Sequence, residues 1–232
     1  MRRLVIIATR ETEEAQNDEK TTIGALKAFF AEAGWEVHFA MNKPSIFSAY
    51  SDTIKSLGVN AHDQVILCHD DIQILMLPSL FNSVLSSHLK NSKTGFVGVA
   101  GSAALDTNVN WFACAQQHKS GGGMVYHGDS LEEMQPTCYG AAKLAVVLDG
   151  VFLATTGKVL NTIHLDMPSN FVSGWDVYDT YYTFQTHLKK LYNVIVCIPL
   201  RHASGGRYSD EYHKDNRSFA QMFVNHLPAV IN

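Results

Sequence analysis

His69-Asp70-Asp71 follows the apolar run Gln64–Cys68 with no residue between them. Two carboxylates crowded at the end of a strand resist ionising together unless a counter-charge is near. A hard divalent cation such as Mg²⁺ or Mn²⁺ supplies that charge. It prefers carboxylate oxygens and can bridge to the diphosphate oxygens of a substrate. The same residues also read as a turn cap beside a solvated acid, and the short motif leaves both readings open.

The elements that would position these side chains follow from periodicity. Leu4–Thr9 is a continuous apolar run of the kind found in a strand buried on both faces. Arg2-Arg3 before it imitates a secretion signal, but the run is short and Arg10-Glu11-Thr12-Glu13-Glu14 follows at once. Ile23, Leu26 and Phe30 share a helical face that Gly34 terminates. Trp35, Val37 and Phe39 alternate as in a second strand. Ser45 caps a helix with Ile46, Tyr50, Ile54 and Leu57 on one face. Gln64–Cys68 is a third strand, Pro78 opens a helix, and Phe96–Ala100 is a fourth strand. This β/α alternation predicts a doubly wound, mostly parallel sheet, whose ligands bind beyond the carboxyl ends of the strands.

The second half is less regular. Asn108–Pro136, with Gly121-Gly122-Gly123, reads as a long excursion. Ala145–Asp149 and Val151–Ala154 read as strands around Gly150, Asp176–Leu191 as a helix, and Val194–Ile198 as a last strand. Arg201 to Arg207 reads as a loop. Net charge is −4, with 18 Lys and Arg against 22 Asp and Glu, so no basic excess points to nucleic acid. No apolar stretch approaches the ~18 residues of a membrane span. Cys68, Cys114, Cys138 and Cys197 lack metal-ligand spacing and read as reduced, mostly buried thiols of a cytoplasmic protein.

Several segments then occur in a telling order: Val65–Asp71 (VILCHDD), Gly95–Ser102 (GFVGVAGS), Val147–Thr155 (VLDGVFLAT), Gly174–Asp179 (GWDVYD) and Arg201–Gly205 (RHASG). With Pro44–Tyr50 (PSIFSAY), they resemble the glycosyltransferase-like family of the streptomycin-biosynthesis type, a relative of the family-two glycosyltransferases. The resemblance spans nearly the whole chain. It implies a single GT-A domain over residues 1–232, with a nucleotide-sugar half (1–105) and an acceptor-binding, catalytic half (106–232).

By that resemblance, His69, Asp70 and Asp71 form the DxD-like motif, with Asp71 the direct metal ligand and His69 on the nucleotide side. Ala8, Thr9, Arg10 and Asn42 fall where such folds hold the nucleotide. Asp149 and Gly150 line the acceptor and sugar side, and a Gly beside an acid suits close substrate approach. Asp179 takes the place of the catalytic base, with Asp176 its rival; either also serves as a helix cap. His202 completes the metal shell, an acceptable ligand for Mn²⁺. The glycine-rich loop after it could close and bring Arg207 to the diphosphate. Trp111 and Trp175 either stack on a sugar or pack in the core.

The implied activity is a metal-dependent transfer, with Mn²⁺ or Mg²⁺, from a nucleotide-sugar donor to a hydroxyl of a saccharide or small-molecule acceptor. A positioned base tilts it toward inversion. The alternatives are a non-catalytic nucleotide-sugar or carbohydrate-binding protein and a sugar nucleotidylyltransferase. The latter wants a glycine-rich basic loop after the first strand, where Ala8-Thr9-Arg10-Glu11-Thr12 stands. No G-x-G-x-x-G or P-loop follows a strand.

Overall fold

A computed structural model describes residues 1–205 and 208–231. The chain opens with β1 (Arg3–Thr9), short α1 (Glu13–Asn17), α2 (Thr22–Glu32), β2 (Glu36–Met41), α3 (Ile46–Ser56) and β3 (Gln64–His69). After it come β4 (Ile72–Ile74), α4 (Pro78–Leu89), β5 (Thr94–Gly98), β6 (Ala100–Ser102) and β7 (Ala104–Leu105). Local chemistry sets the helix starts. The Thr21 hydroxyl accepts from Gly24 N–H, Ser45 and Ser48 form a reciprocal capping box, and Pro78 sits in the first turn of α4.

The remainder comprises α5 (Trp111–His118), β8 (Gly121–His127), β9 (Gln135–Ala141), β10 (Leu144–Ala145), β11 (Val147–Leu148), β12 (Phe152–Thr156), α6 (Gly157–Leu160), α7 (Tyr178–Leu188), β13 (Tyr192–Ile195), β14 (Leu200–His202), α8 (Asp210–Met222) and β15 (Ala229–Val230). The expected excursion over 108–136 thus holds a helix and a strand. Gly121, Gly122 and Gly123 are strand residues because a Cβ at each would collide with a backbone carbonyl of Tyr139, Ala142 or Val99. Arg201 and His202 belong to β14 and are buried, so only the residues after His202 form a loop. Cys197, read as buried, is exposed between buried Val196 and Ile198, beyond the end of β13; Cys138 is exposed too, and all four thiols are free.

The main sheet has seven strands in the order β10-β13-β5-β12-β3-β1-β2. β1, β2, β3, β5 and β13 share one direction, but β12 lies antiparallel between β3 and β5, and β10 antiparallel to β13. The sheet is therefore mixed, not mostly parallel in its pairings. An apolar run announces a buried strand without announcing its direction. Alternate residues face two cores: Leu4, Ile6, Val65 and Leu67 pack with α3 and α7, whereas Val5, Ile7, Ile66 and Cys68 pack with α2 and α4. β12 and β13, from the second half, sit inside the sheet begun by the first half. A second sheet, β11-β6-β8-β14-β4 with β9 alongside β8, stands beyond the carboxyl ends of β3 and β5. Among the described residues no helix is long and apolar enough to cross a membrane.

Two clamps fix the β1–β3 register, which pairs Arg3 with Gln64 and Ala8 with His69. At one end the fully buried Asp63 carboxylate accepts from Arg2 N, Nε and Nη2 and from Asn60 N, at 2.6 to 3.1 Å. Burial works against the charge, but the bonds from Arg2 and Asn60 outweigh it and hold the carboxyl well below the usual range. At the other end the Thr9 hydroxyl donates to Asp70 Oδ2 at 2.5 Å. Asp63→Asn should cost on the order of 2–3 kcal/mol, short of a fully buried pair because Arg2 is partly exposed. Urea unfolding at pH 7 checks this. Because the Asp63 pKa is depressed, the penalty should fade as pH falls below the unfolded carboxyl value of ~4.

Candidate active site

β3 ends at His69, the chain turns through Asp70 and Asp71, and β4 begins at Ile72. β4 pairs antiparallel with β14, setting His202 opposite Ile72. Ala203 N then donates to Asp71 O at 3.0 Å and Ser204 N to Asp71 Oδ2 at 3.1 Å. Three side chains meet as a result. His202 Nε2 lies 3.3 Å from both His69 Nδ1 and Asp71 Oδ1, which are 3.9 Å apart. A point equidistant from these three atoms is about 2 Å from each, the reach of a transition-metal ligand bond. Two imidazoles and one carboxylate make a donor set for Mn²⁺ and similar borderline cations rather than for Mg²⁺. Without a cation, one proton on His202 Nε2 must serve both neighbours. The residues present therefore fit a divalent ion.

The far side of His69 strengthens that fit. His69 Nε2 is 2.8 Å from the Tyr178 hydroxyl, which donates its single proton to Gly150 O at 2.9 Å. Both bonds hold only if Nε2 carries the imidazole proton, which leaves the Nδ1 lone pair facing Asp71 and His202. Burial and the nearby His202 lower the His69 pKa, again favouring the neutral ring that a metal requires. Burial alone would raise Asp71, but bonding from His202 and Ser204 prevails and holds it well below the usual range.

The trio opens on a cavity of about 500 Å³ that includes His69, His202, Asp149, Asp176 and Asp179 in its lining. Asp179 stands in the first turn of α7, where Oδ1 accepts from Thr180 N at 2.6 Å and Oδ2 from Gly150 N at 2.9 Å. Burial and the neighbouring Asp149 carboxylate push its pKa up to about 7 despite those bonds. Asp149 Oδ1 accepts from Val151 N at 2.8 Å. Asp176 is also raised, chiefly by burial, while its Oδ2 accepts from the Ser173 hydroxyl at 2.6 Å. The turn into α7 is strained: Val177, β-branched, has φ +61°. Gly150 has no room for a side chain, since a Cβ would strike the Tyr178 hydroxyl.

Of the residues singled out in the sequence, the cavity gathers His69, Trp111, Asp149, Gly150, Trp175, Asp176, Asp179 and His202. Asp71 reaches it through His202. His69, expected beside a nucleotide, turns into the trio instead. Asp70 is occupied by Thr9. Ala8 and Thr9 are buried, Asn42 is exposed with its N–H on Thr9 O, and none of these lines the cavity. Arg10 lies 4.7 Å over the Trp175 ring, covering one face of that indole. Arg207 falls outside the described residues. Sequence reasoning passed over Tyr178, His127, Tyr139, Tyr208 and Tyr212, which also line the cavity. Only the adjacency of Tyr178 to Asp179 could have signalled any of them.

A carboxyl raised in the folded state favours folding only while protonated. That contribution is present at low pH and is lost as pH rises from 3.8 to about 7. Carbon-detected NMR titration of the metal-free protein should place the Asp179 midpoint near 7. Asp149→Asn should lower it, by removing the like charge while keeping an oxygen for Val151 N. A wild-type midpoint near the ordinary carboxyl value of ~4 would remove the case for Asp179 as a base.

Residues 12–222 match the glycosyltransferase-like family. No curated protein matches the chain. Among solved structures, the A197 protein from STIV is similar at 12% identity, over 91% of this chain and 87% of that one, with a TM-score of 0.44. Because the family match runs from before α2 to the end of α8, taking in the trio and Asp179, the chain belongs to the glycosyltransferase-like family.

Proposed function

We propose that the protein is a GT-A glycosyltransferase that uses a divalent cation, Mn²⁺ in preference to Mg²⁺, to move a sugar from a nucleotide-sugar donor to a hydroxyl of a saccharide or small-molecule acceptor. The observation that carries this reading is one cavity shared by the His69–Asp71–His202 trio and a carboxylate raised to about 7. The cation held by the trio would neutralise the donor diphosphate and the charge it gains on leaving.

The chain's own groups do the rest. Asp179, ionised above about pH 7, takes the proton of the acceptor hydroxyl. The acceptor oxygen forms its bond to the anomeric carbon as the bond from that carbon to the diphosphate oxygen breaks. The nucleoside diphosphate departs with the electron pair. Attack from the side opposite the leaving group inverts the anomeric centre. Tyr178 holds the His69 tautomer, Gly150 lets the Tyr178 hydroxyl and Asp179 approach its backbone closely, and the Trp175 face not covered by Arg10 and the Trp111 ring offer stacking surfaces for a sugar.

Calorimetric titration of UDP and GDP, with Mn²⁺ and with EDTA, tests the donor site. Binding should need the metal and should disappear in Asp71→Ala and in His69→Ala. Asp179→Ala should still bind nucleotide yet lose roughly a hundredfold or more in transfer rate, whereas Asp176→Asn should not. Nucleotide binding indifferent to EDTA and to both ligand variants would sink the proposal.

Tyr178→Phe removes only the hydroxyl that fixes His69. Metal affinity should fall roughly tenfold, read by Mn²⁺ titration against an unchanged circular dichroism spectrum. An unchanged affinity would mean that Tyr178 does not position the ligand.

A further inference from the structure

β3 begins at Gln64 and ends at His69, so its two ends are about 17 Å apart. The active-site cavity lies at the His69 end. At the Gln64 end a separate cavity of about 440 Å³ opens between the starts of β3 and β5, the end of β12, and the turns that follow α4 and α7.

Its charge is of one sign. Lys90, Lys158 and Lys189 all line it, and no Asp or Glu does. None of the three pairs with a carboxylate among the described residues. The chain as a whole carries −4, so this convergence is not a sample of a basic surface. Gln64 supplies an independent sign. It lines the cavity, and its carboxamide makes no hydrogen bond among the described residues, so the amide is free to meet a ligand there. Leu89, Val159 and Leu191 give the same cavity an apolar wall.

We propose that this cavity is a second ligand site, specific for a phosphorylated small molecule whose phosphoryl oxygens face the three ammonium groups. Lysine suits that task as a strongly hydrated point charge. The Gln64 amide and the apolar wall receive the organic part, a sugar or base ring. No cation is needed, because the lysines already supply the counter-charge. The site is independent of the donor site at the other end of β3 and does not rest on the glycosyl-transfer reading.

The experiment is titration of ATP and of pyrophosphate into the full chain in EDTA at low salt, so that the histidine–aspartate site cannot contribute. Binding should be detected, should persist in Asp71→Ala, and should weaken with added salt. Each of Lys90→Ala, Lys158→Ala and Lys189→Ala should weaken it roughly five- to tenfold, and the triple variant should abolish it. All three lysines are exposed, and Lys27→Ala, on α2, should have no effect. Gln64→Leu should weaken ATP more than pyrophosphate. No binding at millimolar ligand, survival of binding in the triple variant, or an equal loss in Lys27→Ala would overturn the proposal. Equal affinity for ATP and pyrophosphate would overturn the role of Gln64 and the apolar wall.

Discussion

The site depends on a three-residue ladder. β4 and β14 pair through Ile72–His202, Gln73–Arg201 and Ile74–Leu200, flanked by the Ala203 N–Asp71 O and Leu75 N–Pro199 O bonds, and this pairing brings His202 to Asp71 across 131 positions. Such a short ladder needs an anchor, and Arg201 provides it. Its buried guanidinium donates to Gly128 O and Asp129 O at 2.8 Å, and to Gln73 Oε1 and Thr22 Oγ1 at longer range. Four acceptors from three separate segments satisfy a charge that forms no salt bridge among the described residues, and they fix β14 against β8 and α2. The histidine therefore inherits its position from its neighbour in sequence.

The second constraint is the start of α7. Val177 holds a left-handed backbone that costs of order 1–3 kcal/mol. Tyr178 and Asp179 benefit directly: one reaches back to His69 and Gly150, the other to the Gly150 amide. The strain is offset by packing, since the Tyr178 and Tyr182 rings meet Phe47 of α3 edge-on at 6.4 and 5.6 Å. The geometry of the trio and the placement of the acid are thus set by one helix entry.

The sequence was legible where periodicity and position coincide. β1, β2, β3 and β5 with α2, α3 and α4 could be read because apolar runs and caps are local signals, whereas β4, three residues long, and α1, without apolar periodicity, could not; the acids after β3 could be found because strand ends are where such sheets bind ligands. The direction of β12 was not legible, since an apolar run buried on both faces looks the same either way. Gly121–Gly123 misled because a strand defined by close backbone approach carries no apolar pattern. The resemblance set His69 on the nucleotide side, while the direction of its ring follows from the ladder to His202 and the bond to Tyr178, neither of which its place beside Asp71 in sequence reveals. The nucleotide-side residues Ala8, Thr9 and Asn42 rested on place alone, and none of them lines the cavity.

The distribution of charge bears on how the two cavities would work. Asp149, Asp176 and Asp179 line the larger one, and among its described lining residues no Lys or Arg answers them. A diphosphate some 5 Å from a carboxylate meets a repulsion of about 3 kcal/mol per charge pair at an effective dielectric constant near 20. On the proposed reading, each of these acids that is ionised repels the donor until a dication at the trio reverses the local sign. Donor binding on the proposed reading is therefore conditional on the metal, while the acids remain free to take a proton from an uncharged acceptor. At the opposite end of β3 the lysines stand unpaired and invite an anion without such help. The two ends of one buried strand thus present opposite electrostatic conditions. A phosphorylated ligand that needs no metal would partition to the lysine end, and one delivered with a divalent cation to the histidine end.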